Sequence, residues 1–405
     1  MEKKVINSSL VENYLYSLKP NTADLLHQKM IDCLKKMQLF DKCNLIKKII
    51  VAGTNGKGST TIILSKVLNE KFKKVGTFIS PHLMSITERI SINGKDIDYN
   101  DFARIFHSNK ENIEKNEFCF FEAIFLIAIV YFMEQDCDYL VLEAGIGAMY
   151  DVVSIFNSEY GIVTSISKDH CDILGNTIME IAQNKAHVFN IAKVGLYNSV
   201  PKRISEYWNK EFSQLVNLSG LYEFKNHELI FQNKKYYLNN SNFSYYENFC
   251  FGLYIAELEN IVLDHDFFKD FKIPGRFEYL NENIIIDVSH NPEAINHLIK
   301  NIKKIYNKTY NIELFFCCMK DKKPNLLVKK ILQKFNTNQL HITSIDYYRS
   351  AKKHDYNKNY QDLFIDNYQK YLLENDFSRK ILIFFGSFYF VSEIKFLYEE
   401  NRLLK

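Results

Sequence analysis

The sequence predicts an α/β protein with mainly parallel sheets, and three observations lead to this prediction. Apolar runs of strand length alternate along the chain with amphipathic segments of helix length. The apolar runs are continuously hydrophobic, which is typical of strands covered on both faces in a parallel sheet. The chain has 405 residues, and because one domain usually has roughly 100–200 residues we expect two domains.

Seven apolar runs are predicted as strands, and five amphipathic segments as helices. The predicted strands are Leu45–Ala52, Tyr139–Ala144, Gly161–Ile166, Ile284–Asp287, Ile312–Cys318, Leu340–Ile345 and Ile381–Phe385. The predicted helices are Thr60–Lys71, Phe121–Met133, Glu293–Tyr306, Asn325–Lys334 and Tyr360–Leu373. Between Asn198 and Glu247 the apolar runs shorten and Asn and Tyr cluster, so we expect this segment to lie outside the main sheet.

The domain boundary is predicted near Ile273. The Pro274–Gly275 pair interrupts the chain there, and a new series of strands and helices begins at Ile284. The expected domains are therefore a larger one over residues 1–273 and a smaller one over residues 274–405.

The composition excludes several classes of protein. A chain that is 47% hydrophobic and 24% charged is ordinary for a globular protein. The net charge is only +3 and no basic stripe is present, so we expect no nucleic-acid partner. The longest apolar stretch, Phe118–Met133, contains Glu122 and is shorter than the roughly 20 residues that span a bilayer, so we expect no membrane partner. The N-terminus lacks a signal-type apolar core and the eight cysteines form no C-x-x-C pair, which favours a cytoplasmic protein with reduced thiols.

A glycine-rich segment follows the first predicted strand and precedes the first predicted helix. The chain has only 14 glycines, and three of them lie within six positions of this segment. Such a junction offers free N–H groups and the positive end of a helix dipole to a phosphate. We therefore predict a phosphate loop that consists of Gly53, Thr54, Asn55, Gly56, Lys57, Gly58, Ser59 and Thr60.

Two side-chain roles follow for this loop. Lys57 is expected to reach the β- and γ-phosphates of a bound nucleotide, and the hydroxyl of Ser59 or Thr60 to bind Mg²⁺. The spacing departs from the usual Walker A pattern, which has a glycine where Val51 stands. The alternative is a tight turn with a surface lysine, but the succession of strand, loop and helix favours phosphate binding.

A second strand ends in a carboxylate. The apolar run Leu140–Leu142 is followed by Glu143, as in a Walker B strand. At the C-terminal end of a parallel strand this carboxylate would lie beside the phosphate loop, where a metal ion needs an oxygen ligand.

The segment AGTNGKGST resembles the ATP loop of the folylpolyglutamate synthase/dihydrofolate synthase family, a branch of the Mur-ligase superfamily. Segments similar to the family's other motifs follow in order between Lys48 and Tyr389. They are SPHL at 80–83, TERISING at 87–94, FFE at 120–122, EAGIG at 143–147, SKDH at 167–170, LGNT at 174–177, IAQNKA at 181–186, PGRFE at 274–278 and DVSHNP at 287–292. The resemblance implies an N-terminal P-loop NTPase-like domain with a mainly parallel sheet and a smaller C-terminal Rossmann-like α/β domain.

The resemblance also implies a metal centre and a modified lysine. It makes Ser80, Glu143 and His170 the ligands of a second Mg²⁺, and Lys185 a candidate for carbamylation by CO₂, which would turn a cation into a carboxylate near the metals. The alternatives are a structural histidine and an ordinary helix lysine.

Further roles are implied for residues outside the metal centre. Asn248 would contact adenine, and Arg276 would contact an ATP phosphate, for which a guanidinium is geometrically suited. Asp287 would hold the ribose or orient the closing domain, and His290 would face the active cleft as a catalytic residue. The implied pterin-site residues are Phe121, Glu122 and Asp151, although core packing and a helix cap explain the first two as well.

The chain departs from the family's pattern at several places, and one of them is Val152–Val153–Ser154, where the family has Ala–Thr–Asn. Ala148–Met149 stands where the family has Gly–Arg, and Val288–Ser289 replaces Gly–Ala. Asn184 and His187 flank the lysine motif where the family prefers Glu and Gly. We expect altered local contacts at these loops.

The activity that the resemblance implies is ATP-dependent amide ligation. ATP would phosphorylate the carboxylate of dihydropteroate or of a reduced folate, and L-glutamate would attack the acyl phosphate. The implied cofactors are ATP and two Mg²⁺ ions, and the implied state is a monomer. The alternatives are a ligase of another Mur branch, a nucleotide-dependent switch, and a degenerate nucleotide-binding protein without ligase activity.

Overall fold

The structure is a computed structural model, and it describes residues 2–19, 26–225, 228–239, 245–306, 311–377 and 379–403. Two compact units divide the chain. The first comprises residues 1–223, 231–233 and 247–263, and the second comprises residues 224–230, 234–246 and 264–405. The predicted boundary at Ile273 lies inside the second unit, which the chain already joins at Asp264.

An eight-stranded sheet forms the centre of the first unit. Its strands are β1 (Lys47–Ala52), β2 (Val75–Phe78), β3 (Ile90–Ile92), β4 (Lys95–Asp96), β5 (Tyr139–Glu143), β6 (Ser158–Val163), β7 (Ala192–Tyr197) and β8 (Leu215–Asn217). Their order is β4-β3-β2-β5-β1-β6-β7-β8, and all neighbours from β2 to β8 pair in parallel. Strand β3 pairs antiparallel with both β2 and β4. The expectation that residues 198–247 lie outside this sheet is wrong for β8, because its backbone pairs with β7 along the edge.

The first unit also contains the following described helices. They are α1 (Glu2–Ser17), α2 (Leu26–Lys36), α3 (Phe40–Leu45), α4 (Lys57–Leu68), α5 (Tyr99–Lys115), α6 (Phe120–Glu134), α7 (Cys171–Leu174), α8 (Ile178–Lys185), α9 (His187–Asn190), α10 (Lys202–Glu211) and α11 (Tyr246–Leu258), of which α11 belongs to this unit from Glu247 onward. Helix α6 is buried along most of its length, as its apolar sequence predicts. No described helix is long and apolar enough to cross a membrane.

Between β8 and α11 lie three short strands, β9 (Tyr222–Lys225), β10 (Glu228–Phe231) and β11 (Lys234–Tyr237), which form a small sheet in the order β11-β10-β9. The larger sheet of the second unit consists of β12 (Glu278–Tyr279), β13 (Ile284–Asp287), β14 (Asn311–Phe316), β15 (Leu340–Ile342) and β16 (Lys380–Phe385). Its order is β12-β13-β16-β14-β15, parallel except for the edge strand β12. Its helices are α12 (Pro292–Ile305), α13 (Pro324–Leu332), α14 (Lys358–Gln361), α15 (Tyr368–Glu374) and α16 (Phe388–Glu399). Both units are α/β with mainly parallel main sheets, as predicted.

The prediction of a single helix over Tyr360–Leu373 is wrong. The chain there forms α14 and α15 with an extended stretch between them, in which the N–H of Ile365 donates to the carbonyl of Ile342 over 2.7 Å. The N–H of Ile342 donates in turn to the carbonyl of Leu363 over 2.8 Å. This pairing at the edge strand β15 satisfies backbone groups that would otherwise stabilise a continuous helix.

Candidate functional site

The phosphate loop joins β1 to α4. Two of its glycines stand where a residue with a side chain would not fit. A Cβ atom at Gly53 would lie 1.9 Å from Oγ1 of Thr164, and the backbone φ of Gly53 is +148°. Gly56 has a left-handed φ of 86° and is the N-cap of α4. A residue with a side chain would be strained at both positions, because the Cβ of an L-residue disfavours these conformations.

The segment after β6 holds the loop in place. The N–H of Thr54 donates to the carbonyl of Ser165, and the N–H of Asn55 donates to the hydroxyl of Ser165, both over 2.9 Å. The hydroxyl of Thr164 donates to the carbonyl of Asn55 over 2.7 Å. Hydrogen bonds within the first unit therefore hold the part of the loop around Thr54 and Asn55.

The first turns of α4 contain buried hydroxyl groups. Within the described part of the chain, the hydroxyls of Ser59, Thr60 and Thr61 are buried and have no hydrogen-bond partner. Buried polar groups are nearly always bonded, so an unbonded hydroxyl at Ser59 or Thr60 is suited to an external ligand. The oxygen of a serine or threonine is a suitable ligand for Mg²⁺.

Glu143 lies at the end of β5 beside this loop. A Cβ atom at Gly58 would lie 3.2 Å from Oε2 of Glu143, so the carboxylate lies against the start of α4. Its Oε2 accepts a hydrogen bond of 2.7 Å from the N–H of Ser80. A carboxylate oxygen is of the ligand type that a magnesium ion prefers, and the role of Glu143 as a metal ligand stays a prediction.

The predicted third ligand, His170, follows β6 at the N-cap of α7. Its backbone is left-handed with φ of 48°, and its side chain is 40% exposed, with Nε2 4.0 Å from Oδ2 of Asp169. Among the described residues, no group of three or more His, Cys, Asp and Glu is arranged to hold a metal ion. The second metal site of Ser80, Glu143 and His170 stays a prediction.

Lys185 ends α8 and lies against the phosphate loop. Its side chain is almost fully buried, and its Nζ donates a hydrogen bond of 2.7 Å to the carbonyl oxygen of Gly53. Burial, and secondly the charge of Lys57, lower the pKa of Lys185 to about 7, although Asp169 and Asp151 act in the opposite direction. Near neutral pH a large fraction of this amine is therefore uncharged, which is the form that reacts as a nucleophile.

Asp151 organises the loop after β5. Its buried carboxylate accepts hydrogen bonds from the N–H groups of Gly145, Ile146 and Val153 over 2.7, 3.2 and 3.1 Å. Burial raises the pKa of Asp151 to about 6 despite these bonds. The carboxylate thus shapes the backbone of this loop.

Asn184 supports the part of the same loop that departs from the family's pattern. Its Oδ1 accepts hydrogen bonds from the N–H groups of Ala148 and Met149 over 2.9 and 3.4 Å. The same loop has a second contact, because Nε2 of His27 lies 2.8 Å from the carbonyl oxygen of Asp151. In the sequence, Asn184 stands out only as a departure from the family's pattern, and His27 does not stand out at all. The reason is that both residues act through hydrogen bonds to residues that are distant in sequence.

The two predicted pterin-site residues on α6 have structural partners. A Cβ atom at Gly145 would lie 3.0 Å from the ring of Phe121, so the ring packs against the loop after β5. The carboxylate of Glu122 accepts a hydrogen bond of 2.8 Å from the N–H of Cys119 and closes the capping box of α6. Glu122 therefore has the helix-cap role that the sequence left open as its alternative.

Asn248, on α11, lies beside the phosphate loop. A Cβ atom at Gly56 would lie 2.8 Å from Oδ1 of Asn248. The amide is therefore next to the loop, and its contact with adenine stays a prediction.

The predicted residues of the second unit cluster around a buried carboxylate. Asp287 is fully buried at the end of β13, and its Oδ2 accepts from the hydroxyl of Tyr245 over 2.7 Å and from the N–H of Phe277 over 2.8 Å. Its Oδ1 accepts from the N–H of Ser289 over 2.8 Å and from the Ser289 hydroxyl. This carboxylate holds the loops on either side of it, and both predicted roles, ribose contact and orientation of the closing domain, stay predictions.

Arg276 and His290 lie on those two loops. The guanidinium of Arg276 lies over the ring of Phe388, 5.1 Å from its centroid. Nδ1 of His290 donates to the carbonyl oxygen of Val288 over 2.9 Å, and its ring centroid lies 5.9 Å from that of Phe388. The aromatic ring therefore packs against both predicted residues.

These features define the class of protein. A preformed glycine-rich loop lies at the carboxyl edge of a parallel sheet, between a strand and a helix N-terminus, and a neighbouring strand ends in a buried carboxylate. This is the architecture of phosphate-loop nucleotide-binding proteins.

Comparison with known proteins identifies the family. Residues 51–281 match the Mur ligase middle domain. The chain is 27% identical over 395 residues to the dihydrofolate synthase/folylpolyglutamate synthase of Bacillus subtilis, covering 86% of this chain and 90% of that protein. The chain belongs to the Mur ligase family, in its folylpolyglutamate synthase/dihydrofolate synthase branch.

Solved structures share the fold over nearly the whole chain. The bifunctional folylpolyglutamate synthase/dihydrofolate synthase of Yersinia pestis, complexed with AMPPNP and a Mn ion, has a TM-score of 0.82 and 21% identity, covering 97% of this chain and 98% of that chain. FolC of E. coli, in complex with DHPP and ADP, has a TM-score of 0.81 and 23% identity, covering 98% of each chain. The α/β fold in both units agrees with these structures.

Proposed function

We propose that this protein is an ATP-dependent ligase that joins L-glutamate to the carboxylate of dihydropteroate, of a reduced folate, or of both. The observation that carries the proposal is the preformed phosphate loop with the buried, unbonded hydroxyls of Ser59 and Thr60 and the carboxylate of Glu143 beside it. The family and the names of its relatives support the same reaction.

ATP is proposed to bind with its phosphates on the loop from Gly53 to Thr60. The N–H groups of the loop and the N-terminus of α4 would donate to phosphate oxygens, and Lys57 would contact the β- and γ-phosphates. Asn248 would contact the adenine, and Arg276 would bind a phosphate bidentately.

Magnesium is proposed to bind at two places. The hydroxyl of Ser59 or Thr60 would hold one ion with the phosphates of ATP, and Ser80, Glu143 and His170 would hold another. When bound, these ions would neutralise the charge of the phosphates.

The proposed reaction has two steps. An oxygen of the acceptor carboxylate attacks the γ-phosphorus, the bond from that phosphorus to the bridging oxygen of ADP breaks, and an acyl phosphate forms. The amino nitrogen of glutamate then attacks the acyl carbon, the carbon–oxygen bond to phosphate breaks, and the nitrogen loses a proton. Lys57 and Arg276 would stabilise the charge on the transferring phosphoryl group, and His290 would contact the reacting groups.

Lys185 is proposed to be carbamylated. Its neutral amine would attack CO₂, a nitrogen–carbon bond would form, and one proton would be released. The product would place a negative charge next to the carbonyl of Gly53, where the unmodified amine now donates. The pKa of about 7 supports this proposal, because a neutral amine is available without strong base.

One assay tests the ligase proposal against its alternatives. ADP release and the incorporation of labelled glutamate are measured with dihydropteroate, with tetrahydrofolate and without an acceptor. We expect both signals to depend on an acceptor and to be lost in Lys57→Ala but not in Lys73→Ala, which removes an exposed lysine after α4. Equal ATP turnover with and without an acceptor would contradict a ligase and favour a nucleotide-binding protein of another kind.

The same assay decides the substrate. Turnover with one acceptor only would assign a single activity, and turnover with both would assign two. A further arm of the assay uses a cell-wall precursor as the acceptor, and incorporation in that arm alone would indicate another Mur branch. The protein is proposed to act as a monomer, which gel filtration at assay concentration tests.

A further inference from the structure

An asparagine at the carboxyl edge of the main sheet lies near the phosphate loop. Ala52, Val163 and Tyr197 are register partners across β1, β6 and β7. The residues that follow β1 and β7 are Gly53 and Asn198. Two strand spacings of about 4.8 Å therefore place Asn198 about 10 Å from the start of the phosphate loop. Asn198 belongs to the same edge of the sheet as the proposed nucleotide site.

The side chain of Asn198 is fully buried, and both ends of its amide are bonded. Its Oδ1 accepts from the N–H of Ser199 over 2.9 Å and from the hydroxyl of Tyr222 over 3.0 Å. Its Nδ2 donates to the carbonyl oxygen of Glu247 over 3.3 Å. Because a buried amide is costly unless it is bonded, these contacts set the orientation of the side chain.

The hydroxyl of Tyr222 makes a second contact with the start of α11. It lies 3.2 Å from Oε1 of Glu247, in addition to its contact with Asn198. A tyrosine hydroxyl has a single proton, which these two oxygens share. Asn198 and Tyr222 thus hold Glu247 by its backbone and by its side chain.

Glu247 directly precedes Asn248, so the carbonyl that Asn198 binds belongs to the peptide bond between them. A Cβ atom at Gly56 would lie 2.8 Å from Oδ1 and 3.2 Å from Nδ2 of Asn248. Asn248 is 8% exposed, and within the described part of the chain its amide has no hydrogen-bond partner. Neither amide atom is fully enclosed. Because polar groups that are mostly buried are nearly always bonded, this amide is suited to a ligand on the loop.

We propose that Asn198 and Tyr222 are positioning residues of the nucleotide site, which hold Asn248 in the orientation for contact with the base. The inference rests on the proposed contact of Asn248 with adenine and not on the ligation reaction. An amide that is held in place before the nucleotide arrives loses less conformational freedom on binding. The phosphates bind to the loop itself, so their binding should not depend on these two residues.

The test compares ADP with pyrophosphate, which has phosphates but no base, on the full chain with Mg²⁺. Calorimetry measures the affinity for ADP, and competition against ADP measures the affinity for pyrophosphate. Asn198→Ala and Tyr222→Phe should each weaken ADP binding about threefold to tenfold, as for the loss of one hydrogen bond, and leave pyrophosphate binding unchanged. Tyr222→Phe keeps the aromatic ring, so it carries the test if Asn198→Ala does not fold.

Two further variants show whether the effect passes through Asn248. In Asn248→Ala, the additional change Tyr222→Phe should cause no further loss of ADP affinity, because residues that act through one contact are not additive. The control is Tyr160→Phe, which removes a hydroxyl bond of 3.1 Å to Glu259 at the opposite end of α11. This variant should bind ADP as the wild type does.

Four results would each overturn the proposal: equal weakening of ADP and pyrophosphate binding, an additive loss in the double variant, a matching loss in Tyr160→Phe, and unchanged ADP affinity in Tyr222→Phe. A wild type that binds ADP no more tightly than pyrophosphate would also overturn it, because no base contact would exist. The expected effects on ADP binding without any incorporation of glutamate would support this inference and contradict only the proposed ligase reaction.

Discussion

The side-chain nitrogen of Lys185 donates a hydrogen bond of 2.7 Å to the carbonyl oxygen of Gly53, the first residue of the phosphate loop. The two residues are 132 positions apart in sequence. This bond joins the end of α8 to the loop, and it buries an amine whose pKa is about 7 beside the proposed nucleotide site.

The first prediction concerns carbamylation of this amine. With ¹³C-bicarbonate we expect a carbamate carbonyl resonance in the wild-type protein that is absent in Lys185→Arg, because a guanidinium does not react with CO₂. We also expect ligase activity to fall about a hundredfold or more, as for the loss of one charged group at an active site. Lys73→Arg is the control, and the same resonance in Lys185→Arg would assign the carbamate to another residue.

The second prediction is a pH dependence of stability. Burial lowers the pKa of Lys185 from 10.5 to about 7, so between these values the unfolded chain binds more protons than the folded chain. The free energy of unfolding should therefore rise as the pH rises through this window. Relative to Lys185→Met, the wild type should gain at most about 5 kcal/mol between about pH 7 and pH 10. Urea denaturation without bicarbonate measures this, and a constant difference between the two proteins would contradict it.

The third prediction separates two buried hydroxyls on the same helix. Ser59→Ala should raise the Mg²⁺ concentration for half-maximal activity about tenfold or more, because the ion loses an oxygen ligand. Thr61→Val, which removes another buried hydroxyl without a described partner, should leave this concentration unchanged. Both variants should be at least as stable as the wild type, since each removes an unbonded buried group. An equal effect of the two substitutions on Mg²⁺ dependence would argue against Ser59 as a ligand.

The fourth prediction uses two glycines with positive φ. Gly94→Ala should cost about 1–2 kcal/mol of stability, because its φ is +74° but no atom lies within 4 Å of the added Cβ. Gly53→Ala should cost more and should abolish ATP binding, because its Cβ would overlap the side chain of Thr164. Thermal denaturation and nucleotide titration measure the two effects. Normal ATP affinity in Gly53→Ala would show that the loop tolerates displacement.

The fifth prediction concerns Asn184 as a positioning residue. Asn184→Ala removes the acceptor for the N–H groups of Ala148 and Met149, at a cost of about 1–3 kcal/mol. We expect the KM for the pterin or folate acceptor to rise several-fold, with a smaller change in the KM for ATP. Asn184→Asp keeps a carboxylate oxygen at the same place and should restore most of the acceptor affinity. A rise in both KM values to the same extent would indicate general damage to the fold.

Local sequence patterns determined much of the architecture. The strand, glycine loop and helix around Lys57 are recognisable because glycine spacing and hydrophobic runs are short-range signals, and β13 begins and ends at the predicted residues, Ile284 and Asp287. The prediction of one helix over Tyr360–Leu373 was wrong because the middle of this segment pairs with the edge strand β15. The hydrophobic periodicity of a segment does not show whether its backbone pairs with a distant strand.

The sequence by itself determined the α/β class, the phosphate loop and the family to which the motifs belong. Only the tertiary structure decided that Lys185 is buried against Gly53, that Asn184 supports the altered loop, and that the carboxylate of Asp287 is occupied by four donors of its own unit. Residue type and spacing define local conformation, whereas burial, pKa and hydrogen-bond partners depend on groups far apart in the chain.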